Sequence, residues 1–221
     1  MSGQYPFLGV IEGFYGRSWP QPHRLRMIRW ISALGFTHYL YAPKEDALLR
    51  RAWRTPWPMA QRRKLSELAA AGAEAGVSVS AGLSPFALYA AYDRPAKGAL
   101  RSRVREIADC GMQGLALLFD DMPGDVDALA ERQAEIVSDV HHWAGTLPLR
   151  LCPTYYSDDP TLDRVFGARP DGYLEALGQA LPPAVPVFWT GPEVCAKALR
   201  LDPVRQTAAR CGRALALWDN H

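Results

Sequence analysis

Asp120 and Asp121 close the apolar run Leu115-Ala116-Leu117-Leu118-Phe119 and are the residues best placed to do chemistry. Like charges held together resist joint ionisation, a general way of keeping one acid able to give a proton near neutral pH. Strand residues alternate between faces, so neighbouring acids can serve one ligand only where the strand ends and the backbone turns. A lone Asp at such a place is commonly a helix cap or a turn residue. The pair gains weight from polar and aromatic residues that close other apolar runs: Lys44 after Tyr39-Leu40-Tyr41-Ala42-Pro43, Thr154 to Tyr156 after Leu149 to Cys152, Trp189-Thr190 after Val185 to Phe188, and Trp218-Asp219-Asn220 after Ala214 to Leu217.

These runs are the elements that must position the chemistry. The first strand is Phe7 to Gly13, leading into Phe14-Tyr15-Gly16, where two glycines enclose two aromatics in a loop whose backbone approaches something closely. Leu25, Ile28, Ile31 and Leu34 mark a helical face ended by Gly35. A second strand ends at Pro43, a helix runs from Met59 to Ala75, and Val77 to Pro85 is a third strand. A helix around Lys97 to Asp109 precedes the fourth strand, which carries the acid pair. Asp125 is then expected to cap a long helix ending near His141 and His142; adjacent on a helix, these two cannot share a metal. The fifth strand leads into a polar loop to Arg169, then a helix with Tyr173, Leu174 and Leu177. After the sixth strand, a helix near Pro203 to Cys211 precedes the seventh.

Strand and helix alternate seven times, the order of parallel strands joined by crossover helices. Gly13-Phe14-Tyr15-Gly16 is not the glycine fingerprint of a dinucleotide fold. Polar groups at so many strand ends describe a ring around one centre, so the fold class expected is α/β, a TIM-type (β/α)8 barrel with seven units evident. The 221 residues fall slightly short of the ~250 usual for that fold. They are expected to form a single barrel domain over residues 1–221, incomplete at its C-terminus.

Composition narrows the partners. A net charge of +2 argues against nucleic acid or an anionic membrane surface, and the basic clusters Arg50-Arg51, Arg62-Arg63-Lys64 and Arg101 to Arg105 read as solvated faces. Met1 to Val10 lacks the features of a secretory signal, and no run suits a membrane span. Four scattered cysteines form neither a disulfide framework nor a zinc motif, which fits a reduced, cytoplasmic protein.

Six blocks resemble the family 84 glycoside hydrolases, the protein O-GlcNAcases with bacterial relatives that include some named hyaluronidases. They are Val10 to Arg17 (V-x-E-G-F-Y-G-R), Tyr39 to Asp46 (Y-L-Y-A-P-K-D-D), Leu117 to Asp121 (L-L-F-D-D), Cys152-Pro153-Thr154 with Tyr156 (C-P-T-E-Y), Trp189 to Pro192 (W-T-G-P) and Trp218 to Asn220 (W-D-N). Together, in this order, they are specific. The resemblance implies a retaining exo-β-N-acetylglucosaminidase in which the 2-acetamido group of the sugar is the nucleophile. That removes the need for two carboxylates flanking the bond, which neighbours in sequence cannot supply. It implies that Asp120 orients the acetamide and that Asp121 is the general acid, then the base. It implies further that Gly13, Lys44 and Asn220 contact the sugar or hold the acids, while Tyr156, Thr190 and Trp218 line the pocket. Trp189 and Trp218 would offer faces to a pyranose, although a core role is commoner for a single Trp. No metal or organic cofactor is implied, and the partner is a glycan or glycoprotein carrying N-acetylglucosamine. The leaving group stays open among glycoprotein, hyaluronan, chitin-derived and peptidoglycan fragments.

Three departures stand out. Tyr155 replaces the family's Glu, Phe86 replaces the Gly of its S-P-G, and its further sugar-binding Asp and Asn would fall beyond His221. These last absences favour the alternative function, a sugar-binding pseudoenzyme without turnover.

Overall fold

The computed structural model describes residues 7–220; Met1 to Pro6, and the end at His221, lie outside the described residues. Seven strands alternate with helices as expected: β1 (Gly9–Glu12), α1 (Gln21–Ala33), β2 (His38–Tyr41), α2 (Met59–Ala75), β3 (Ser78–Leu83), α3 (Arg94–Asp109), β4 (Gly114–Leu118), α4 (Leu129–Ala144), β5 (Leu149–Cys152), α5 (Thr161–Phe166), α6 (Tyr173–Ala180), β6 (Val187–Trp189), α7 (Leu201–Cys211) and β7 (Leu215–Leu217). The strands form one parallel sheet in chain order.

The period of two along the strands separates two apolar layers. Tyr39, Tyr41, Val79, Ala81, Leu115 and Leu117 face the helices. Leu40, Ala42, Ala116, Leu118, Cys152 and Phe188 form a second, inner cluster. Ile11 of β1 and Ala216 of β7 pack against that same inner cluster, so the sheet curls until its two outer strands share one interior. This is a barrel-type curl of seven parallel strands, the expected fold class. Side chains must be small where the interior is tight: a Cβ on Gly82 would lie 2.5 Å from the Ala42 Cβ. A cavity of about 400 Å³ lies inside the curl, lined by Phe7, Ile11, His38, Arg150, Phe188 and Trp218 among others.

His38 lines that cavity. Its Nδ1 is 2.7 Å from Thr37 Oγ1, and its ring centre is 4.5 Å from that of Phe7, over which the Arg150 guanidinium sits. Burial, with the Arg150 charge second, lowers its pKa from 6.5 to about 4. Between those values the unfolded chain binds a proton that the folded chain does not, so stability should fall as pH falls through this window. Melting temperature against pH should therefore slope less between pH 6.5 and 4 in His38→Gln. An unchanged slope would show that His38 does not govern this limb.

Several local expectations are corrected. Asp125 does not cap α4: Ala128, left-handed at φ 53°, precedes its first residue, Leu129. The chain between is held by other bonds, Tyr89 Oη to the Pro123 carbonyl at 2.5 Å and Gly124 N to the Phe166 carbonyl at 2.6 Å. The stretch before Arg169 contains a short helix, α5. Leu34 is exposed, because α1 has ended by then. The basic clusters are not all solvated: Arg103 is buried against Glu106, the Trp53 and Thr55 carbonyls and the Trp57 ring, and Arg50 is buried at the site described next. Among the described residues no helix is long and apolar enough to cross a membrane.

Candidate active site

β4 is buried along its whole length and delivers Phe119, Asp120 and Asp121 at its C-terminal end. Asp121 is left-handed, with φ 59°. That conformation costs a non-glycine residue of order 1–2 kcal/mol and is best tolerated by Asp and Asn. It bends the chain where the strand stops, and one ammonium meets both carboxylates. Lys44 Nζ pairs with Asp120 Oδ2 and lies 3.6 Å from Asp121 Oδ2. Lys44 follows β2, whose register places Tyr41 beside Ala81 of β3, the neighbour of β4. Its side chain is only 4% exposed. Burial alone would lower the ammonium's pKa, but the charges of Asp120 and Asp121 outweigh it and hold the pKa above its usual value.

Asp120 Oδ1 is buried and has no hydrogen-bond partner. A buried carboxylate oxygen without a donor is unfavourable by roughly 1–3 kcal/mol or more, so it is a ready acceptor for a ligand N–H or O–H. Asp121, whose side chain is 24% exposed, accepts at Oδ2 from the Tyr15 hydroxyl at 2.7 Å. Tyr15 stays protonated above its usual range, first through burial and then through that bond to Asp121. Burial, reinforced by Asp121 and Asp120, likewise raises the Tyr156 phenol, and burial with Asp120 raises the Cys152 thiol. Around the acid pair the site therefore presents two neutral phenols, a neutral thiol and one ammonium.

A polar network behind β4 fixes the acids. Ser84 Oγ donates to the Leu118 carbonyl at 3.0 Å, and Thr154 Oγ1 to the Phe119 carbonyl at 3.0 Å. Gln133 Nε2 donates to Thr154 at 2.8 Å and accepts at Oε1 from the Tyr173 hydroxyl at 2.5 Å. Buried networks of this kind hold functional groups in one geometry when every member is satisfied.

The other expected residues divide. Gly13 lacks a side chain because the Trp218 ring crosses it: a Cβ there would lie 2.8 Å from that ring. Trp218 in turn packs edge-on against Phe188, with centroids 5.4 Å apart. Thr190 is buried and its hydroxyl donates to the Glu193 carbonyl at 3.0 Å. Asn220 Nδ2 donates to the Val194 carbonyl at 3.1 Å. Both amide and hydroxyl thus brace the loop after β6. Trp189, offered as a sugar platform, is instead a core residue, 1% exposed, because it points to the helix side of β6. Tyr155 is buried and its hydroxyl donates to the Gly167 carbonyl at 2.7 Å. Tyr15, Arg50, Ser84 and Glu12 were given no role from the sequence, although Tyr15 and Glu12 lie in the Val10 to Arg17 block and two glycines enclose Phe14 and Tyr15. Among the described residues no group of three His, Cys, Asp or Glu side chains is placed to hold a metal.

Comparison with known proteins bears on this arrangement. A family model described as beta-N-acetylglucosaminidase matches residues 8–221. The chain belongs to the beta-N-acetylglucosaminidase family. Protein O-GlcNAcase of Mus musculus is 29% identical over 222 residues, which cover 96% of this chain and 24% of that protein; the Rattus norvegicus protein gives the same figures. A solved point mutant of the O-GlcNAc hydrolase of Thermobaculum terrenum superposes with a TM-score of 0.87 at 30% identity, covering 99% of this chain and 48% of that one. This family member therefore spans about a quarter of the length of the curated relatives and about half of the solved one.

Proposed function

We propose that the site around Asp120 and Asp121 hydrolyses terminal β-linked N-acetylglucosamine with retention, using the sugar's acetamide oxygen as nucleophile. The observation that carries this reading is the Lys44–Asp120–Asp121 constellation, with Asp120 Oδ1 buried and free to accept. Family membership supports the substrate class.

In this reading Asp120 Oδ1 accepts the acetamide N–H. That bond turns the amide and makes its oxygen a better nucleophile, while Lys44 pairs with Oδ2. The amide oxygen attacks the anomeric carbon as the bond to the leaving oxygen breaks, and Asp121 gives that oxygen its proton. Asp121, now a carboxylate, takes a proton from water as the water attacks the anomeric carbon and the amide oxygen departs. Two inversions give retention. The Tyr15 hydroxyl can donate to Asp121 when it is ionised and accept from it when it is protonated. Gly13, Tyr156 and Trp218 bound the sugar, and Thr190 and Asn220 act by holding the loop beside it. A reduced, cytoplasmic setting belongs to the same reading, supported by four cysteines that form no disulfide.

The test is hydrolysis of a chromogenic β-N-acetylglucosaminide, with a thiazoline that mimics the cyclised intermediate. Turnover blocked by the thiazoline is expected. Thiazoline binding with no turnover would establish the sugar-binding pseudoenzyme instead.

A further inference from the structure

Phe86 lies three residues beyond the end of β3, and its surroundings show what it builds. The residue is 36% exposed, yet its backbone is held in place. The Phe86 carbonyl accepts from the buried Trp53 Nε1 at 3.3 Å, and Ala87, the next residue, is left-handed at φ 60°. The Arg50 guanidinium carbon lies 5.7 Å from the centre of the Phe86 ring. The same carbon lies 5.5 Å from the centre of the Tyr15 ring, itself 54% exposed. Arg50 also donates from Nη2 to the backbone carbonyl of Asp121 at 3.3 Å, and the Tyr15 hydroxyl bonds to the Asp121 carboxylate. One buried cation thus meets two exposed aromatic rings, one of which is bonded to the Asp121 carboxylate.

Exposed rings held by a cation rather than buried are an uncommon expense at a surface, and they gain when a flat partner covers them. Tyr15 is bonded to the Asp121 carboxylate and Phe86 is linked to the Asp121 backbone through Arg50, whereas Lys44 pairs most closely with Asp120. A group that takes its proton from Asp121 leaves beside the Tyr15 ring.

We infer that Tyr15 and Phe86, spaced by Arg50, form the subsite for the leaving group, and that the leaving group they select is a second pyranose. This rests on the glycosidase reading above. A pyranose presents a flat face of C–H groups that matches an aromatic ring in size. A methyl group is too small to cover either ring, and a serine side chain would carry a flexible backbone past them.

The experiment measures binding of sulfur-linked analogues, which hydrolysis does not consume. Calorimetry would compare a thio-linked disaccharide of N-acetylglucosamine, the methyl thioglycoside and a thio-linked glycopeptide in the unaltered protein, Phe86→Ala, Phe86→Gly and Phe86→Tyr. The unaltered protein should prefer the disaccharide over the methyl analogue by roughly five- to tenfold, the scale of one aromatic contact. Phe86→Ala and Phe86→Gly should lower that ratio to what Tyr15 alone supports without changing methyl thioglycoside affinity, and Phe86→Tyr should retain it. An equal affinity for disaccharide and methyl analogue, or a Phe86-dependent preference for the glycopeptide, would overturn this inference and leave the glycosidase reading intact. Failure of every analogue to bind would overturn both.

Discussion

Asp121→Asn should lose about 10²–10⁴-fold in kcat/KM on alkyl and sugar glycosides, the usual worth of a general acid, but far less on nitrophenyl glycosides, whose leaving group needs no proton. Asp120→Asn should lose heavily on both. The asymmetry follows from the contacts: Asp121 meets Tyr15 and the solvent side, while Asp120 is buried with Lys44 and has one oxygen without a partner, the oxygen proposed to take the acetamide N–H. Replacing that oxygen with an amide group that can donate would impair the internal nucleophile whatever the leaving group. Steady-state rates across aryl and alkyl glycosides check the division. Equal losses across leaving groups in both mutants would contradict it.

The second large effect is structural. Glu12, wholly buried at the end of β1, accepts two bonds from Arg24 at 2.8 Å each, one from the Tyr39 hydroxyl at 2.5 Å and one from Trp19 N at 3.1 Å. It therefore joins β1, β2 and α1, and it closes the loop that carries Tyr15. Glu12→Ala would leave the Arg24 cation buried without its partner, a change worth roughly 3–5 kcal/mol. For a chain of this size the melting temperature should fall by about 10 °C or more. Glu12→Gln keeps the shape and can still accept from Tyr39, so its loss should be smaller. A Glu12→Ala protein with an unchanged melting temperature would show that the pair contributes nothing net.

Much of the architecture was legible because it is local. Leu115 to Phe119 is an unbroken apolar run, and a strand buried on both faces has to read that way. Met59 to Ala75 was readable from composition and from Gly76, which closes α2 in the left-handed conformation. The six residues of α5 are too few for a helical period to show. Lys44 was legible because it follows a strand end. Its partnership with Asp120 was not, since that depends on which strands the curl brings together. Tyr15 and Asp121 are 106 residues apart and Arg50 and Asp121 are 71 apart, so no spacing rule connects them. Arg50 and Arg103 read as solvated because a cation's burial depends on carbonyls and rings from distant segments. Thr190 and Asn220 illustrate the opposite limit: their positions were legible, but their polar groups are already committed to neighbouring carbonyls.

Substrate assistance is the central claim, and a series of aryl β-glucosaminides with acetyl, fluoroacetyl, difluoroacetyl and trifluoroacetyl groups on nitrogen tests it most directly. Each fluorine withdraws electrons from the amide oxygen, so log kcat/KM should fall steadily along the series if that oxygen attacks the anomeric carbon. A flat series, together with a sugar ester trapped on Asp120 or Asp121, would show a carboxylate nucleophile and contradict the mechanism.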